Sequence, residues 1–217
     1  LFTGSTPQIH NGADDNASGT AALIELGKKL KKSKLKNNNY LFIAFSGEEL
    51  GLYGSKYYTE HPTIDLTKAN YMINMDMIGR LNDSTHGLTV GGFGTSPSWA
   101  EIIKTDNKYF KIKVDSAGSG PSDHTSFYRK DIPVLFFFTG LHTDYHKPSD
   151  DANRINYEGE YRILHKDGNY LWMLGRGIAV RNSKGKFHRM AGSQTDITRG
   201  KVVDVLTGLP NRVLFMD

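Results

Sequence analysis

From Ala17 to about Lys32, apolar Ala22, Leu23, Leu26 and Leu30 recur near helical spacing, which predicts a helix with Gly27 inside it. Asn37-Asn38-Asn39 reads as a loop. Tyr40 to Phe45 is a continuous apolar run, the pattern of a central strand covered on both faces. Leu50 to His61 reads as a helix, Ala69 to Met75 as a strand, Leu88 to Val90 as a short strand, and Ser98 to Phe110 as a helix. Ile132 to Phe138 is the last buried strand. Helical and strand patterns thus alternate, which predicts an α/β fold: an α/β/α sandwich on a mostly parallel, mixed central sheet.

After about Tyr157 the texture changes. Tyr161 to His165 and Tyr170 to Leu174 flank Asp167-Gly168 and read as a hairpin. Ile178 to Val180 lead into a second turn at Asn182 to Gly185, and Lys186 to Thr195 read as a third strand. This small antiparallel meander sets a boundary near residues 157–160. The expected organisation is 1–157, 158–201 and 202–217.

The chain of 217 residues is long enough for one sizeable domain with a core. It has no cysteine, so disulfides, thiolate zinc sites and cysteine nucleophiles are excluded. Any metal must be held by His, Asp and Glu. No apolar run approaches the roughly 20 residues of a membrane span. Acidic and basic residues balance over 1–157, and the whole excess of +4 lies after that. The run Lys28 to Lys34 is read as the solvated end of a helix, where cations suit the dipole, and not as a nucleic-acid surface. Leu1 is not an initiator Met and no signal peptide precedes it, so the chain reads as a fragment or a processed product.

Ligands in open α/β sheets gather at the carboxyl ends of strands. Glu48 and Glu49 follow the run 40–45, Asp76 ends the strand 69–75, and His146 follows the strand 132–138. Asp14 and Asp15 precede the first helix. Each alone has an ordinary explanation: capping for the Asp pair, a solvated first turn for the Glu pair, polar surface for the His. Together they make a zinc-type set of carboxylates and imidazole. Two zincs close together also need a carboxylate between them.

Gly12 to Gly19 (Gly-Ala-Asp-Asp-Asn-Ala-Ser-Gly), Ser46 to Ser55, Asn74 to Ile78, Ser122-Asp123-His124 and Asp144 to Asp150 occur in this order. These motifs resemble the co-catalytic zinc aminopeptidases of clan MH, the family of bacterial leucyl aminopeptidase and aminopeptidase Y, over about residues 9–157. The resemblance implies two zinc ions, with Asp15 bridging, Glu49 and His146 on one and Asp76 on the other. It implies Glu48 as general base, Tyr145 as hydrogen-bond donor to the tetrahedral intermediate, and a peptide or protein N-terminus as substrate. Asp14 is expected to cap or to stand behind the ligands, as are Asp123 and His124. The family's further ligand, a His in a His-x-Asp motif upstream, has no match. His10 lacks that motif and is expected at the surface, leaving the zinc of Asp76 one ligand short. The resemblance also implies a secreted or periplasmic protein.

Glu160 to Gly168, Trp172, Arg176 to Val180 and Gly192 to Thr198 resemble the C-terminal half of a PAS sensory domain. Asp204 to Arg212 resembles the opening of a GGDEF diguanylate cyclase domain without its signature loop. Two further readings therefore stand beside the aminopeptidase: a PAS–GGDEF signalling fragment, and an inactive peptidase-like binding domain. A glutaminyl cyclase is a minor variant on the same fold.

Overall fold

The computed structural model describes residues 7–34, 37–82, 84–103, 108–155, 157–181 and 187–199. The chain divides into two units, Leu1–Asp151 and Ala152–Asp217. The division falls a few residues before the change of texture near 157.

The first unit is built on a four-stranded mixed sheet in the order β1–β4–β2–β3. Its strands are β1 (Met72–Met75), β2 (Gly87–Gly91), β3 (Lys111–Val114) and β4 (Val134–Phe138). β1 runs parallel to β4, with Met72 opposite Val134 and Met75 opposite Phe137. β4 runs antiparallel to β2, and β2 parallel to β3. Among the described residues four α-helices accompany the sheet: α1 (Gly19–Lys32), α2 (Tyr53–Glu60), α3 (Trp99–Ile102) and α4 (His124–Tyr128).

Successive residues of a strand face opposite sides, so Val134 and Leu135 seed two separate cores. Leu135 packs with Val90 and Trp99 of α3, joined by Leu88, Ile112 and Phe137. Val134 packs with Phe127 of α4 and Ile132, joined by Tyr58 of α2, Phe45 and Met72. The sheet is therefore covered by helices on both faces, as an α/β sandwich requires.

Three expected elements change. Tyr40 to Phe45 form no strand, and Tyr40, Leu41 and Phe42 are 39–53% exposed. The apolar run fits a central strand, but among the described residues no strand pairs with it. Only Phe45 reaches the core, against the rings of Tyr58 and Phe127. The helix expected over Ser98–Phe110 is confined to Trp99–Ile102, because Ile103 turns extended (φ −85°, ψ 103°). β3 follows from Lys111, where Ile112 faces the core and pairs with Leu88. The helix expected from Leu50 starts at Tyr53, since residues 48–52 form a tight turn on the Glu48 carbonyl.

In the second unit, β5 (Tyr157–Leu164), β6 (Tyr170–Arg181) and β7 (Phe187–Asp196) make an antiparallel meander. The β5–β6 turn is the expected one, with Gly168 at φ +87° and the amide of His165 donating to the Asn169 carbonyl. The expected turn at 182–185 and the segment 202–217 lie outside the described residues. No helix among the described residues is long and apolar enough to cross a membrane.

Candidate metal centre

Because β1 and β4 are parallel, the segments leaving them emerge at the same end of the sheet. Asp76 follows β1, and its amide still donates to the Phe137 carbonyl at 3.3 Å. The loop to His146 follows β4, held at its root by Thr139 donating to the Met77 carbonyl from amide and hydroxyl. Glu48 and Glu49 arrive through a turn at Gly47, whose φ of +67° suits glycine. Asp14 and Asp15 lie in a kinked helical turn, Ala13–Ser18, with Asp15 itself at φ −108°, ψ 88°.

That turn is pinned from two sides. The buried Asp150 carboxylate accepts the amides of Asp14 (3.0 and 3.1 Å) and Asp15 (3.0 Å). Asn16 donates to the Met75 carbonyl and accepts the Gly19 amide, capping α1 against the end of β1. Gly19 is required here: a Cβ would sit 2.2 Å from the Met75 carbonyl oxygen.

These segments bring Asp15, Glu49 and His146 together, with ligand atoms within 4.8 Å of one another. Nε2 of His146 lies 3.1 Å from Asp15 and 2.9 Å from Glu49. His146 has a positive φ of 57° and Met77, next to Asp76, one of 56°. Such conformations cost a non-glycine residue about 1–3 kcal/mol and gather at functional sites. Asp76 stands outside the triplet. Ser122 donates to its Oδ2 at 2.8 Å, while Oδ1 is buried without a partner.

The electrostatics are those of a carboxylate cluster short of positive charge. Burial, then the charges of Glu49 and Asp76, push Asp15 up to about 7. Burial, then Glu49, Asp76, Asp123 and Asp15, push Glu48 up to about 7. Asp76 is raised by burial against the pull of Ser122. Tyr145 stacks on His146 at 3.8 Å between ring centres. Burial and the charges of Glu49, Asp15, Glu48 and Asp76 push its hydroxyl up to about 12, so it stays protonated facing the acids. Two carboxylates with an imidazole are a zinc-type donor set, and Asp76 Oδ1 is an orphaned acceptor beside it. The residues fit a divalent cation.

The remaining expected residues fall as follows. Asp14 is fully buried, accepts the Gly79 amide at 2.7 Å and is raised by burial. Asp123 is buried, and its charge reaches Glu48 and Asp76. His124 is buried flat against Phe136 (4.6 Å, 11°), and burial pulls it down to about 4. His10 is exposed. Sequence reasoning passed over Asp150, Arg80 and His142. Asp150 ends a motif already singled out. Arg80 and His142 gave no signal, since their partners are distant in the chain.

A model of peptidase family M28 matches residues 3–166, and a model of the PAS fold matches residues 149–194. Aminopeptidase YwaD of Bacillus subtilis is 32% identical over 158 residues, 68% of this chain and 34% of that protein. Leupeptin-inactivating enzyme 1 of Streptomyces exfoliatus is 32% identical over 150 residues, 66% of this chain and 32% of that one. The chain thus spans about a third of the length of these relatives. Among solved structures, Legionella pneumophila LapA aminopeptidase superposes with a TM-score of 0.55 at 23% identity, over 67% of this chain and 42% of that chain.

Proposed function

Since the chain belongs to peptidase family M28, we propose that its first unit carries the catalytic apparatus of a zinc-dependent aminopeptidase acting on peptide or protein N-termini. The observation that carries this reading is the Asp15–Glu49–His146 triplet with Glu48 beside it. The names of the relatives, aminopeptidase and leucine aminopeptidase 2 among them, support the same chemistry.

In this reading Asp15, Glu49 and His146 would hold one ion, and Asp76, sharing Asp15, would hold a second. Zinc, when bound, makes a water nucleophilic near neutral pH and polarises the scissile carbonyl. Glu48 takes the proton released by the attacking water and returns it to the leaving amine. The Tyr145 hydroxyl donates a hydrogen bond to the oxygen on which negative charge develops. The surrounding carboxylates attract the substrate's α-ammonium, which favours removal of a terminal residue. Beyond residue 157 we read a partial PAS-like segment (158–201), which the PAS fold match supports, and the start of a GGDEF-like domain (202–217).

The test is hydrolysis of leucine p-nitroanilide by the zinc-loaded chain. Glu48→Gln is expected to abolish turnover while zinc stays bound. Absence of both bound zinc and hydrolysis in the unsubstituted chain overturns the reading; full activity of Glu48→Gln overturns the role of Glu48.

A further inference from the structure

Behind the ligands lies a second polar cluster that takes no part in the chemistry above. Arg80, four residues beyond Asp76, reaches across to the loop that bears His146. Its Nη1 donates to Asp144 Oδ2 at 2.8 Å and also lies 2.8 Å from Nδ1 of His142. Both ends of the Arg80–Asp144 pair are largely buried, at 20% and 13% exposed. The other nitrogen of His142, Nε2, is 3.2 Å from Oδ2 of the fully buried Asp14.

The chemistry of these groups fixes the direction of every proton. A guanidinium has donors and no acceptor, so Nδ1 of His142 must accept from Arg80. The amide of Asp144 also points at that nitrogen, at 3.3 Å, and it too can only donate. A neutral His142 therefore carries its hydrogen on Nε2, the nitrogen facing Asp14. Asp14 in turn accepts the Gly79 amide, one residue before Arg80. Arg80 thus joins the segment after β1 to the loop after β4 by hydrogen bonds, and His142 Nε2 faces Asp14 Oδ2, on the turn that presents Asp15, as a close polar contact in which neither atom has a well-aligned hydrogen bond. Three of the four segments that carry the proposed ligands, all but the Glu48–Glu49 turn, meet around one arginine.

We infer that Arg80 is a positioning residue: through Asp144 and His142 it holds the His146 loop against the Asp14–Asp15 turn, so that His146 and Asp15 keep their 3.1 Å approach. The inference rests on the proposed metal centre for its consequence, but its geometry stands without metal. Lysine replaces it only in part: both contacts are made by Nη1, which the planar guanidinium holds in a fixed orientation, whereas an ammonium on a flexible stem is not so held.

Two measurements on the full chain test it. Long-range nitrogen-15 NMR of the metal-free protein at about pH 8 reads the tautomer of neutral His142; hydrogen on Nε2 is expected. Competition with a chelator reads zinc affinity. Arg80→Met is expected to lose about 10–100-fold, the usual effect of removing a partner behind a ligand, with partial recovery in Arg80→Lys. Hydrogen on Nδ1 of His142 overturns the inference, as does a folded Arg80→Met that binds zinc within about twofold of the unsubstituted chain. Should Arg80→Met not fold, the tautomer of the unsubstituted protein decides alone. If the unsubstituted chain binds no zinc, the peptidase reading fails, and the tautomer still decides whether Arg80 holds His142.

Discussion

Tyr145 shows how one side chain acquires a role from its neighbours. Its ring lies on His146, and burial, then the charges of four carboxylates, push its hydroxyl further above its ordinary value, up to about 12. A protonated phenol can only help by donating, which suits an oxygen gaining charge. Tyr145→Phe is expected to lower kcat by about 100-fold, the usual scale for one lost oxyanion donor. Zinc affinity should stay unchanged, because the phenol is not a ligand. A chelator titration beside steady-state kinetics checks both. The same residue scale shows what sequence left silent. Asp15, Glu48, Glu49, Asp76 and His146 were visible as acids and a histidine at segment ends. Arg80 and His142 were not, because their value lies in contacts 62 to 64 residues apart along the chain.

At the scale of elements, the approach of α1 to the end of β1 decides whether Asp15 can meet Glu49 and His146. Asn16 caps the helix and grips Met75, and Gly19 admits the Met75 carbonyl where a side chain would stand. Gly19→Ala would bring a methyl to 2.2 Å of that oxygen, so the helix must move. The expected cost is about 2 kcal/mol or more in thermal unfolding, with weakened zinc binding, though alanine is the better helix former in isolation. α1 was legible because its apolar positions keep helical spacing over its whole length, and β4 because its short apolar run does pair on both sides. The run 40–45 was misread because a continuous apolar pattern reports hydrophobicity alone and leaves pairing open. β3 was missed because Ile112 is the one inward residue of a short strand lying beyond a stretch read as helix.

For the first unit as a whole, the carboxylate cluster sets how stability depends on pH. Asp15 and Glu48 are raised to about 7, and Asp14, Asp76 and Asp123 are raised too. The folded, metal-free protein thus binds more protons than the unfolded chain between about pH 4 and 7, and its stability falls as pH rises through that window. His124, pulled down to about 4, acts in the opposite sense between about 4 and 6.5, one group against five. The metal-free midpoint of thermal unfolding is therefore expected to drop from about pH 5 to pH 8, and added zinc to raise it more at the higher pH, where the ligands are already deprotonated. A pH-independent midpoint, or an equal zinc effect at both values, contradicts this. By itself the sequence determined the α/β class, the antiparallel meander after residue 157, and the identity of the acids and histidine that could bind metal. Residue type and local periodicity suffice for these, since each is a property of a short window. Only the tertiary structure decided which strands pair, that β1 and β4 run parallel and so deliver Asp76 and His146 to one end of the sheet, and that Arg80 and Asp150 fasten the ligand-bearing segments. Those facts depend on contacts between windows far apart in the chain, and no local pattern encodes them.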